Sequence, residues 1–157
     1  MATRSAIGFK KIDGTIEAVY CHWDGYPAHN GKILMNHYPV EKTQRLLAEG
    51  SLSSLRQEIG EYHPFDAKYN DEPELPMSEN WCMFYGRDRG ESGQGSHTYK
   101  DAQDYTENFH VGGVEFFYLQ DSSGQWLVLD VYKEDNIWDF VETRVSQQEA
   151  DHGVCVE

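Results

Sequence analysis

An Asp-Gly pair at 13–14 separates two strand-like runs, Ser5 to Lys11 and Thr15 to Trp23. Asp-Gly accepts the positive φ that a tight hairpin turn demands, so the two runs are expected to pair antiparallel. On the second arm Ile16, Ala18, Tyr20 and His22 fall on one face, and Glu17, Val19, Cys21 and Trp23 on the other. Both faces are mixed, which points to a strand partly covered on each side. A second hairpin is expected from Val114 to Leu119 and Gln125 to Tyr132, turning through Asp121-Ser122-Ser123-Gly124.

Between the hairpins the pattern turns helical. Asn30 is placed to cap a short helix carrying Ile33, Leu34 and His37. Pro39 suits the first turn of a second helix, with Val40, Leu46 and Leu47 inward and Gly50 as its stop. Ser51 to Ile59 reads as one more short helix closed by Gly60, and Trp81 to Gly86 as a strand. Residues 61–80 and 86–110 read as long polar loops, the first rich in proline and acid. Asp135 or Asn136 is expected to cap a last helix with Ile137, Val141 and Val145 on one face. This order predicts a single α+β domain over 1–157: an antiparallel sheet built from the two hairpins, with helices packed on one side. At 157 residues the chain can bury a core without disulfides or metal.

Charge divides the chain. Residues 1–60 carry a net +1 and residues 61–157 a net −15, giving −14 in all. Direct nucleic-acid binding is disfavoured, because that affinity comes from basic groups displacing counterions around phosphates. The N-terminus lacks the apolar run of a signal peptide, and no run of about 18 apolar residues occurs, so no membrane role is expected. Cys21, Cys82 and Cys155 form no CxxC pair, and the odd number favours free thiols in a cytoplasmic setting.

The densest mixture of polar and aromatic residues runs from Tyr20 to Gly31, where a strand gives way to a loop and a helix start. Such a junction offers free backbone N–H groups to an anion. The candidate ligand-binding residues are Arg4, His22, Trp23, Asp24, Tyr26, His29, Asn30 and Lys32. Arg4 and Lys32 supply charge, Trp23 or Tyr26 a surface for stacking a base, and His22 or His29 hydrogen bonds. The same residue types equally suit a structural corner, with Gly25 for positive φ and Asp24 and Asn30 for turns.

Catalytic readings have less support. Cys21 and His22 are strand neighbours whose side chains point to opposite faces, so a dyad would need His29 or His37 to fold back. His22, His29 and His37 are spaced by seven and eight residues, unlike recurrent zinc sites. The glycines at 86, 90, 93 and 95 lack the Lys-Ser/Thr ending of a P-loop. No catalytic residue, metal or cofactor is therefore expected. The acids form clusters at Asp71, Glu72, Glu74 and Glu79, at Asp101, Asp104 and Glu107, and at Glu134, Asp135, Asp139 and Glu142. They suit either solubility or a surface imitating the charge spacing of duplex DNA.

Arg4-Ser5-Ala6-Ile7-Gly8, Asp13-Gly14-Thr15, Val19-Tyr20-Cys21-His22-Trp23-Asp24-Gly25-Tyr26 and His29-Asn30-Gly31 resemble the N-terminal signature of small phage and prophage proteins. The likeness covers about the first 60 residues, and farther on only a hairpin with Trp126 on its second arm. It implies a phage accessory protein and assigns no catalytic residue. The expectation is thus a non-enzymatic binder in host takeover or counter-defence, working in the host cytoplasm. Its partner would be a host protein or a small anionic ligand such as a nucleotide signal, with homo-oligomerisation open. The alternative is an acidic, nucleic-acid-mimicking inhibitor of a host protein. A small hydrolase or transferase using His22, Asp24 and His29 is the outside option.

Overall fold

Strands β1 (Ser5–Lys10) and β2 (Ile16–Cys21) pair antiparallel, with Ser5 opposite Cys21 and Lys10 opposite Ile16. The computed structural model that shows this describes residues 2–62, 80–133 and 137–151. Asp13 organises the turn: its Oδ1 accepts from Thr15 N at 2.9 Å and Thr15 Oγ1 at 2.6 Å, while Gly14 takes φ +89°. The second turn repeats that chemistry. Asp121 Oδ1 accepts from the N–H groups of Ser123 and Gln125, and Gly124 sits at φ +95°. An aspartate that satisfies turn N–H groups is a local instruction, which is why both hairpins were legible.

After β2 the chain forms a π-helical turn, Pro27–Gly31, that runs into helix α1 (Lys32–His37) and then α2 (Val40–Glu49). Gly50 ends α2 at φ +93°, as expected. Next come short strands β3 (Leu52–Ser54), β4 (Met83–Phe84) and β5 (His97–Tyr99), then helix α3 (Ala102–Glu107). The second hairpin, β6 (Phe116–Gln120) and β7 (Trp126–Asp130), leads to edge strand β8 (Asp139–Phe140) and helix α4 (Val141–Asp151). The sheet order is β4-β3-β2-β1-β6-β7-β8, with β5 also paired to β2.

The α+β class and both hairpins stand, but the sheet is mixed. β1 pairs parallel with β6, and Cys21 of β2 pairs parallel with Leu52 of β3. The hairpins meet through their first strands, and those run in the same direction. Nor are all helices on one side. Ile7, Phe9, Val19 and Cys21 pack with Leu34, Leu46, Leu47, Trp126, Val141 and Val145, so α1, α2 and α4 cover one face. Ala6, Ile16, Ala18 and Tyr20 pack on the other with Tyr99, Tyr105 and Phe117, so α3 covers the second. Gly8 makes room there: a Cβ on it would lie 3.1 Å from the Tyr105 ring. The mixed faces of the second arm report this two-sided burial.

Three further expectations are corrected. Ser51–Ile59 is not a helix: β3 pairs with β2 and β4, and Ser51 Oγ accepts from Tyr20 N at 3.1 Å. Sheet pairing overrides a weak local preference. Residues 86–110 are not all loop, since β5 and α3 lie within them; Asp101 caps α3 by accepting from Asp104 N at 2.8 Å. The last helix starts at Val141, because Asp139 and Phe140 pair with β7, and Ile137 is exposed outside it. The acids Asp71, Glu72, Glu74, Glu79, Glu134 and Asp135, together with Asn136, Cys155 and most of the 61–80 connection, lie outside the described residues.

Candidate functional site

Beyond Cys21 the chain stays attached to β3, with His22 N donating to Leu52 O and Trp23 N to Ser53 O. It then turns at Asp24, whose φ of +58° is the only positive value of a non-glycine among the described residues. Gly25 follows in close contact with the start of β1. Its N–H donates to Thr3 O at 2.8 Å, and a Cβ would lie 2.7 Å from Ser5 Cβ and 2.8 Å from Thr3 O. The Tyr118 hydroxyl donates to Gly25 O at 2.6 Å, fixing the corner to β6.

Asn30 is the brace of this corner and is fully buried. Its Nδ2 lies within reach of Ser5 Oγ (3.3 Å), Cys21 Sγ (3.5 Å) and Trp23 O (3.3 Å), and its N–H donates to Asp24 O. Asn30 therefore neither caps the helix nor faces a ligand, and Asp24 serves the turn through its backbone. Lys32 is held away at α4, where its Nζ pairs with the buried Glu149 carboxylate at 3.1 Å. Tyr26 and His29 form a separate ring pair 6.0 Å apart, and His29 Nδ1 bonds Asn30 Oδ1 at 2.9 Å. The structural-corner reading describes Asp24, Gly25 and Asn30 with one correction: the positive φ falls on Asp24, while Gly25 is needed for its close approach to Thr3 and Ser5.

Arg4, His22 and Trp23 behave differently. The Tyr20 hydroxyl lies 2.6 Å from His22 Nδ1. Burial pushes the Tyr20 phenol up to about 12, so it stays protonated and donates to Nδ1. Burial and then the Arg4 charge hold His22 below its usual value, so the ring is neutral at pH 7 with its proton on Nε2. The His22 ring meets Trp23 edge-on at 4.8 Å, and Trp23 is 44% exposed. Arg4 is anchored by Nη1 on Gly112 O at 3.4 Å, with its guanidinium over Gly113, where φ is +81° and a Cβ would come within 2.7 Å of Nη1. Among the described residues Arg4 forms no ion pair.

The set offers a guanidinium, an imidazole N–H and an indole face, all donors or stacking surfaces. The sequence named Arg4, His22 and Trp23 as candidates but gave no sign of the Gly112-Gly113 anchor, which only a distant loop supplies. Of the hydrolase candidates, His22 bonds Tyr20 and His29 bonds Asn30. Cys21 is buried and its thiol is pushed up to about 12 by that burial, so it is no nucleophile. Among the described residues no cluster of three or more His, Cys, Asp or Glu is placed to hold a metal ion. No helix there is long and apolar enough to cross a membrane. No protein-family model, curated protein or solved structure matches the chain.

Proposed function

We propose that the chain is a non-enzymatic binder that takes a small anionic ligand with an aromatic ring, of nucleotide type, on the Arg4, His22 and Trp23 surface. One observation carries this reading: in a chain of net charge −14, Arg4 stands without a carboxylate partner among the described residues, beside a neutral His22 and a half-exposed Trp23. A cation free of carboxylates attracts phosphate, the His22 Nε2–H supplies a directed donor, and the indole stacks on a base. The resemblance of the first 60 residues to small phage and prophage proteins supports a setting in host takeover or counter-defence, inside the host cytoplasm.

Calorimetric titration with matched nucleosides and nucleotides tests the reading. Nucleotides should bind and the nucleosides much more weakly, because Arg4 recognises the phosphate. Equal affinity for both, or no binding of either, would sink it. The charge partition supports a second reading, in which the acidic remainder occludes a basic host protein. That binding would weaken with added salt and be indifferent to Trp23.

A further inference from the structure

The two histidines of the corner are set oppositely by their partners. Asn30 Nδ2 is used as a donor toward Ser5 Oγ, Cys21 Sγ and Trp23 O, so Asn30 Oδ1 accepts, and the proton of its 2.9 Å contact with His29 sits on Nδ1. A neutral His29 then carries a bare Nε2, which is an acceptor. His22 is the reverse. Its Nδ1 lies 2.6 Å from the Tyr20 hydroxyl, and that hydroxyl, on a residue only 8% exposed, has no other hydrogen-bond partner among the described residues. A phenol that donates to Nδ1 leaves the proton on Nε2.

The bond fixes more than the tautomer. Turning an imidazole halfway about its bond to Cβ exchanges each ring nitrogen for a carbon, so an untethered ring aims N–H and C–H at the same place in turn. With Nδ1 held by Tyr20 and the ring edge-on to Trp23 at 4.8 Å, Nε2 keeps one direction, on the side away from the buried phenol. Among the described residues nothing bonds Nε2, and His22 is half-buried, so this N–H is left for a ligand. We propose that Tyr20 is the positioning residue of the ligand site, making His22, and not His29, the donor to a phosphate oxygen. This rests on the ligand reading of the Arg4, His22 and Trp23 surface.

Long-range nitrogen–proton NMR correlation of the histidine rings, at about pH 8 and so above the usual imidazole range, tests this on the full chain. His22 should be protonated on Nε2 and His29 on Nδ1. Tyr20→Phe should remove the signature of a bonded Nδ1 from His22 alone. The phenyl ring keeps the place of Tyr20 in the core of the second face, so the variant should fold. Its affinity for the nucleoside monophosphate that wild type binds best should drop roughly threefold to tenfold, the effect of one neutral hydrogen bond. In a His22→Ala background the same change should weaken binding no further, because Tyr20 acts only through that ring. A wild type that binds no nucleotide overturns the ligand reading, and this role with it. A wild type that binds overturns the role of Tyr20 alone if either ring is in the opposite tautomer. Full affinity in Tyr20→Phe, or an equal loss in the His22→Ala background, does the same.

Discussion

The imidazoles of His97 and His110 stack face to face, 3.6 Å between ring centres and 13° from parallel. His97 belongs to β5 and His110 follows α3, so the stack joins the helix that covers the second face of the sheet to the strand beside it. The Tyr99 hydroxyl lies 2.6 Å from His110 Nδ1 and accepts from His110 N at 3.0 Å. Burial, then the neighbouring His97, pulls His110 down to about 4. Two imidazolium rings in this arrangement would repel, so the stack disfavours protonation of His110.

The stack gives stability an acid limb with a definite sign. Unfolded, His110 takes up a proton near 6.5; folded, only near 4. Its contribution is therefore present above about 6.5 and is lost as pH falls through about 4, because the unfolded chain binds more protons in that window. His22, also lowered, acts in the same sense. Melting temperature measured from pH 8 to pH 4 should fall, and His110→Phe should flatten part of that fall. A profile identical in the variant would remove His110 as the cause.

Trp23 and Asn30 should separate ligand binding from corner stability. Trp23→Ala removes a half-exposed ring, so the fold should survive while nucleotide affinity drops roughly tenfold to a hundredfold. Asn30→Ala leaves Ser5 Oγ, Cys21 Sγ and Trp23 O without their shared Nδ2 partner, while the backbone bond to Asp24 O remains, and should cost about 1–3 kcal/mol of unfolding free energy. Denaturant titration and calorimetry on the same two variants check this. Equal stability losses in both would mean that Trp23 is only packing.

The acids between Tyr62 and Asn80 can be tested apart from the Arg4, His22 and Trp23 surface. Its base is closed by Glu58 N donating to Asn80 O, Cys82 N to Glu58 O, and Arg87 Nη1 to Ile59 O and Gly60 O. Replacing 63–79 with a short Gly-Ser linker asks what these acids bind, with melting temperature measured beside binding so that a loss of fold is told from a loss of contact. The deletion removes five acids, Asp71, Glu72 and Glu74 among them. If nucleotide binding persists while capture of a basic host protein is lost, the acidic surface has its own partner.

Thiol chemistry provides a fourth check. Cys21 and Cys82 are free and buried, and burial pushes both thiols upward. Both should be silent to a thiol reagent at pH 8 in the native chain and react on denaturation. Rapid native labelling of either, mapped by peptide mass, would contradict the packing around Asn30 or Tyr38.

The residues that speak for themselves in the sequence are those whose task is local. Asp13 and Asp121 bond N–H groups two to four residues ahead, so both hairpins were readable, and Pro39 and Gly50 bracket α2 in the same way. The charge partition is also a property of the sequence alone. What it did not reveal depends on partners far along the chain. Leu52–Ser54 becomes a strand because Cys21 and Phe84 flank it, and the parallel seam joins Ser5 to Phe116. Asn30 turns inward because Ser5 and Cys21 wait there, and Arg4 is anchored by the distant Gly112. Turn and cap preferences act over a few residues, whereas pairing and burial between distant segments are decided only when the sheet closes.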